Sequence, residues 1–205
     1  GCISSLYFDT HNCNCGTIDQ GKLDDVETSV CDDQCIPVKS LIAETLPPGK
    51  IVNYVVSSTN TLVGLNVIER INANTCVTFQ ASKGMTHNTT YYILRIVGED
   101  LDGDGIVDVK DPCSRMTFQP ISWNPYPIAD AGQTDSICGL SYKFKANLTL
   151  GNGTWRPLNG GTISDVNAAN ADLTAPNYGT YSFEWSVDNE SCIRKDTVNI
   201  TFWDA

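Results

Sequence analysis

Tyr142-Lys143-Phe144-Lys145-Ala146-Asn147-Leu148-Thr149-Leu150 alternates apolar and polar side chains without a break. Successive side chains of an extended chain point to opposite faces, so a period of two reads as a strand with one face on a core and the other in water. The pattern returns downstream. Tyr181, Phe183, Trp185 and Val187 alternate with Ser182, Glu184 and Ser186, and Val198, Ile200 and Phe202 alternate with Asn199 and Thr201. Upstream, strands are expected at 51–56, 62–68, 76–79, 91–97 and 116–121, separated by Pro47-Pro48-Gly49, residues 58–60 and Lys83-Gly84. Helical periodicity is nearly absent. Many short strands between turn clusters read as an all-β chain of two tandem β-sandwiches.

Trp123-Asn124-Pro125-Tyr126-Pro127 carries two prolines, which donate no ladder hydrogen bond and stiffen a connection, and the domain boundary is expected there. The organisation is then an arm over 1–19, one module over 20–122 and a second over 123–205. The arm holds three cysteines but little strand pattern beyond 3–8 and reads as a short cystine-rich N-terminal arm.

A hydrophobic content of 41% with 18% charged residues is that of a chain that folds. Its net charge of −11 opposes nucleic-acid binding, which needs clustered Lys and Arg, and suits solubility and divalent cations. Nine cysteines, no Cys-x-x-Cys pair and two histidines argue against zinc and for disulfides, hence for an oxidising, extracellular compartment. The odd count leaves one cysteine free or paired elsewhere. No apolar run of about 18 residues is present, so no membrane span is expected. The chain starts at Gly1 without a secretion signal and reads as a mature or excised segment.

The sharpest local pattern is Asp100-Leu101-Asp102-Gly103-Asp104-Gly105-Ile106-Val107-Asp108-Val109-Lys110-Asp111. Carboxylates fall at loop positions 1, 3, 5, 9 and 12, glycine stands at 6, and the Ile106 carbonyl is available at 7, as a Ca2+ loop requires. Asp111 stands where a bidentate Glu is usual, so weak affinity is expected. The other reading is an Asp-Gly turn of solvated acids. Over these twelve positions the segment resembles dockerin and thrombospondin-type calcium loops, but Pro112-Cys113 follows where a dockerin continues as a helix. A cohesin-binding role is not expected.

From 126–132 (Tyr-Pro-Ile-Ala-Asp-Ala-Gly) through Ile137-Cys138-Gly139, 151–155 (Gly-Asn-Gly-Thr-Trp), Gly179-Thr180-Tyr181-Ser182-Phe183-Glu184-Trp185 and 196–202, the chain resembles PKD-like, immunoglobulin-like repeat modules. Such modules build large surface adhesins of gliding bacteria exported by type IX secretion. The first half resembles the preceding module through 91–98 and 107–113. The resemblance implies two tandem immunoglobulin-like sandwiches, a structural or adhesive role without catalysis, and one early and one late cysteine bridged within a module. Cys138 is thus expected to pair with Cys192, and Cys113 to reach back to the Cys31/Cys35 region. It further implies O-glycan acceptors at Ser136 in Asp135-Ser136-Ile137 and Thr197 in Asp196-Thr197-Val198; ordinary strand residues are the alternative. Trp155 reads as a core aromatic, and Tyr181, two residues before the inter-sheet Phe183, as a tyrosine corner.

No Gly-x-Ser-x-Gly, His-Glu-x-x-His or phosphate-binding glycine loop occurs, and His11 and His87 read as solvated loop histidines. The expected function is a non-catalytic module of an extracellular cell-surface adhesin or filament, stabilised by disulfides and calcium. Its partners are other copies or neighbouring modules, joined end to end with the arm as connector, and surface glycans. The alternative is a carbohydrate-binding or accessory module of a secreted hydrolase, with Trp123, Trp155 or Trp203 as sugar platform.

Overall fold

A computed structural model describes Cys15, residues 17–190 and 192–204. The strand expected at 3–8, Cys2, Cys13 and His11 lie outside the described residues. The chain is all-β, as the alternation predicts, and its one described helical element is a 3-10 turn, Ala81–Lys83. It divides into two compact units: the described residues through Ser29 with Cys35–Ser122, and Val30–Gln34 with the residues from Trp123 onward.

Among the described residues, nine strands begin before the proline-rich segment: β1 Lys22–Leu23, β2 Thr28–Cys31, β3 Ile36–Pro37, β4 Ser40–Ile42, β5 Lys50–Ser57, β6 Val67–Ile71, β7 Cys76–Val77, β8 Tyr91–Glu99 and β9 Arg115–Asn124. A five-stranded sheet has the order β2-β9-β8-β5-β6, with the antiparallel pairs β1–β4 and β3–β7 beside it. Val55, Leu94, Ile96 and Val107 form one core cluster of this unit. β8 is buried at nearly every position, because its alternate side chains Ile93, Arg95 and Val97 are covered as well. Arg95 donates to the Glu44 carboxylate at 2.9 Å, to Ser40 Oγ at 3.0 Å and to the Ile42 carbonyl at 2.9 Å. Buried Gln119 accepts from Lys39 N–H at 2.8 Å and donates to the Pro37 carbonyl at 3.2 Å. These two polar side chains tie the short pairs to the main sheet, Arg95 through the Ile42 carbonyl of β4 and Gln119 through the Pro37 carbonyl of β3.

The strand expected at 62–68 forms only at Val67–Ile71. Ser57 Oγ bonds the Asn66 carbonyl at 2.8 Å and Thr59 N–H at 3.0 Å, offering the backbone a local alternative to a ladder, and Gly64 turns at φ 74°. Val63 is consequently exposed, while Leu62 and Leu65 pack on the core.

The second unit adds β10 Asp135–Cys138, β11 Ser141–Lys143, β12 Asn152–Pro157, β13 Thr162–Ile163, β14 Asp172–Thr174, β15 Gly179–Asn189 and β16 Cys192–Trp203. One sheet has the order β10-β16-β15-β12, with β10 parallel to β16, and the other has the order β11-β14-β13. Their core centres on Phe144, Trp155, Leu173, Phe183, Trp185 and Ile200. Phe144 stacks on Trp155 with ring centroids 3.8 Å apart, and Trp155 stands opposite Trp185 in the β12–β15 register. The Tyr181 hydroxyl donates to the Asn177 carbonyl at 3.1 Å, the tyrosine-corner contact expected from the sequence. The alternation from Tyr142 holds through Ala146, whose N–H and that of Phe144 donate to Ala169 and Ala171. It then stops. Asn147 bonds Asp130, Gly151 turns at φ 81°, and Leu148 and Leu150 are exposed.

Trp123 and Asn124 belong to β9 rather than to a stiff connection. The Trp123 indole is fully buried and donates to the Gln34 carbonyl at 3.0 Å, within the second unit.

Three disulfides join the described residues: Cys15–Cys113, Cys31–Cys192 and Cys35–Cys76. The expected Cys138–Cys192 bridge is not made, and Cys138 is a free, exposed thiol. In the parallel register Cys138 stands beside Trp203, at the opposite end of β16 from Cys192. Eleven residues of strand (192 to 203) span roughly 36 Å, far beyond the ~7 Å that a disulfide tolerates between Cα atoms. Cys113 likewise bridges to neither Cys31 nor Cys35. Cys35 is taken by Cys76, which the pairing of β3 with β7 places beside it at 5.4 Å between Cα atoms.

A Cβ on Gly153 would overlap the Trp185 ring, and Gly153 has no positive φ, so its role is close approach of backbone to indole. Gly153→Ala therefore overpacks the core, and a loss of about 1–3 kcal/mol with a weakened near-UV tryptophan signal is expected on urea unfolding. Unchanged stability would show that the ring is free to shift.

Candidate functional site

β8 ends at Glu99, and the acidic segment that follows is closed by Asp108 N–H donating to the Glu99 carbonyl at 2.8 Å. Inside the loop, Asp100 Oδ1 accepts from the N–H groups of Gly103 and Asp104 at 2.8 and 3.0 Å, and Oδ2 accepts from Gly105 at 2.8 Å. Asp104 Oδ1 accepts from Ile106 N–H at 2.8 Å. Gly103 and Gly105 adopt φ 78° and 82°, the left-handed turns that only glycine makes without strain. The Asp100, Asp102 and Asp104 carboxylates each offer an oxygen within 4.8 Å of the others. That separation is about twice a Ca–O bond, so one cation is within reach of all three.

The other two acids are engaged in the next turns. Asp108 Oδ1 accepts from Lys110 N–H at 2.9 Å, and Asp111 Oδ1 accepts from Cys113 N–H at 2.9 Å. The cluster of facing carboxylates is therefore Asp100, Asp102 and Asp104, without Asp108 or Asp111. Sequence reading missed Asn53, a polar residue in an apolar strand. Its Oδ1 accepts from Val107 N–H at 2.6 Å and its Nδ2 donates to the Gly105 carbonyl at 3.2 Å. The peptide planes on both sides of Ile106 are thereby fixed, and with them the direction of the Ile106 carbonyl.

Ser136 and Thr197 are both exposed on strands, with β10 and β16 adjacent in one sheet. The tryptophans separate. Trp123 and Trp155 are core residues and offer no sugar platform, whereas Trp203 is 58% exposed at the end of β16. His87 is half-buried and stacks on Phe79 at 4.2 Å, so it is not the solvated loop histidine expected. Along their length β15 and β16 present paired polar side chains on one face. Thr180 meets Thr201 at 2.9 Å, Ser182 donates to Asn199 at 2.6 Å, and Glu184 lies 3.1 Å from the Lys195 ammonium and 3.2 Å from the Arg156 guanidinium.

No family model matches the chain, and no curated protein matches it. Solved structures similar to it are PKD and immunoglobulin-like domains. The PKD domain from KIAA 1837 protein is 21% identical over 37% of this chain and 85% of its own, with a TM-score of 0.32. Three N-terminal domains of the highly immunogenic outer capsid protein (Hoc) of bacteriophage RB49 are 10% identical over 90% of this chain and 70% of theirs, with a TM-score of 0.45. The four N-terminal Ig domains of Dscam1 isoform 6.9 are 7% identical over 90% of this chain and 44% of theirs, with a TM-score of 0.40. No helix among the described residues is long and apolar enough to cross a membrane.

The hydrogen bond from the Lys195 ammonium, aided by Arg156, holds the Glu184 carboxyl below its usual range. A depressed folded-state value stabilises the fold above the unfolded carboxyl's value and is lost as pH falls through the folded one. In acid titrations Glu184→Gln should remove part of the stability gained between those two values and leave the lower plateau unchanged. An identical acid limb in the variant would refute this.

Proposed function

We propose that this chain is a load-bearing, non-catalytic module of an extracellular surface adhesin or filament. The observation that carries the reading is the placement of the staples. Cys31–Cys192 and Cys15–Cys113 join residues 161 and 98 apart, and Cys35–Cys76 ties two short strands. A chain pulled at its ends cannot lengthen past such bridges, so most of its strands are shielded from tension. The resemblance of 126–202 to PKD-like modules supports a bacterial surface reached through type IX secretion. Open edges such as β6 and β10, each paired on one side, suit end-to-end association with other copies or neighbouring modules by strand addition.

In single-molecule pulling, the oxidised protein should extend by the unbridged residues alone. Reduction should add several hundred ångströms, about 3.4 Å for each residue released. Equal lengths and equal yield forces with and without reductant would sink the load-bearing reading.

Calcium belongs to the same proposal. Asp100, Asp102 and Asp104, with the Ile106 carbonyl, would hold one Ca2+ and brace the loop at the end of β8. A bound cation stabilises by mass action, about 2.7 kcal/mol at a hundredfold excess over Kd. Added Ca2+ should raise the melting temperature, chelator should reverse the gain, and Asp104→Ala should abolish it. A calorimetric titration with no calcium heat would overturn this part.

A further inference from the structure

We propose that Lys50 and Asp111 are joined, or poised to be joined, by an intramolecular isopeptide bond whose proton relay is Glu99. Lys50 opens β5 directly opposite Glu99, the last residue of β8, and its ammonium lies 2.6 Å from Glu99 Oε1. Its other acidic neighbour is Asp111 Oδ2, at 4.0 Å. The Lys50 side chain is 6% exposed and that of Asp111 10%, whereas Glu99 is 46% exposed and so reaches both the pair and solvent. Asp111 Oδ2 is buried and accepts no hydrogen bond.

As an ion pair this arrangement is poor. A buried carboxylate oxygen without a hydrogen bond carries its desolvation cost, and attraction across 4.0 Å compensates it incompletely. As a pair of reactants it is good. The Asp111 carboxyl is held by its other oxygen to Cys113 N–H, and the turn around it is closed by Ser114 N–H on the Asp111 carbonyl at 2.9 Å and Asp111 N–H on the Asp108 carbonyl at 3.0 Å. Cys113 is itself bonded to Cys15, and Lys50 is fixed by its place in the β5–β8 ladder. Two groups held this close react as one molecule, which removes much of the entropic barrier.

The step balances without any added reagent. The Lys50 ammonium passes a proton to Glu99, and the freed amine attacks Asp111 Cγ, forming the C–N bond. Glu99 returns that proton and relays the second one from nitrogen to the departing carboxyl oxygen, which leaves as water. Glu99 ends ionised, as it began, and two buried charges become one neutral amide. The bond would tie the start of β5 to the turn after the acidic loop, a cross-link independent of redox conditions and of any bound cation. It stands apart from the calcium reading, since it uses none of Asp100, Asp102 and Asp104.

The test is mass spectrometry of the purified chain after complete reduction and alkylation. The expected mass is that of the sequence short by one water, with residues 40–70 and 111–115 appearing as one branched tryptic peptide, uncut at Lys50. Glu99→Gln should lower the yield of that peptide at least tenfold, and Lys50→Met should restore the full sequence mass. A wild-type chain at full mass, cut normally after Lys50, overturns the proposal. So does a missing water without the branched peptide, because cyclisation at Asp102-Gly103 or Asp104-Gly105 would produce that loss alone.

Discussion

A sheet with apolar side chains needs a cover, and in this chain, whose described residues hold no α-helix, strands must supply it. Each unit meets that constraint differently. In the second, the four-stranded sheet is covered by β11, β14 and β13, and a continuous aromatic core fills the gap. In the first, the five-stranded sheet is accompanied, among the described residues, only by two-stranded pairs too short to hold themselves.

The polar and covalent features of the first unit follow from that shortage. Arg95 and Gln119 are fully buried because the short pairs lack ladder partners, and their side chains stand in for the missing strand. The Cys35–Cys76 bridge does the same covalently, closing a β3–β7 pairing of two residues per strand. Packing, hydrogen bonding and disulfides thus contribute in inverse proportion: the aromatic second unit carries one described bridge, the sparser first unit two.

The same economy places the reactive groups. β8 is the central strand of its sheet, paired along both edges, and is buried on both faces as well, so its chemistry is confined to its end. There Glu99 meets Lys50, Asp100 begins the acidic loop, and Asn53 reaches across from β5 to hold the loop in place. The acidic loop can hold several exposed carboxylates together because a loop is free of the packing obligations of a sheet.

The sequence by itself determined the all-β class, the faces of β15 and β16, the core positions of Trp155 and Phe183, and the tyrosine corner. Each of these follows from local alternation or a short-range contact. It also marked the acidic loop, because ligand spacing within twelve residues is a property of the chain. Tertiary structure alone decided the cysteine pairing, since a bridge depends on which strands become neighbours, and the parallel placement of β10 sent Cys138 to the far end of β16 from Cys192. It alone decided which carboxylates of the loop converge, withdrawing Asp108 and Asp111 into turns of their own. Lys50, Glu99 and Asp111 are spread over 62 positions (50 to 111, both counted), and only the β5–β8 register and the turns after the loop bring them together. Local periodicity records which way a side chain faces, not what it will face.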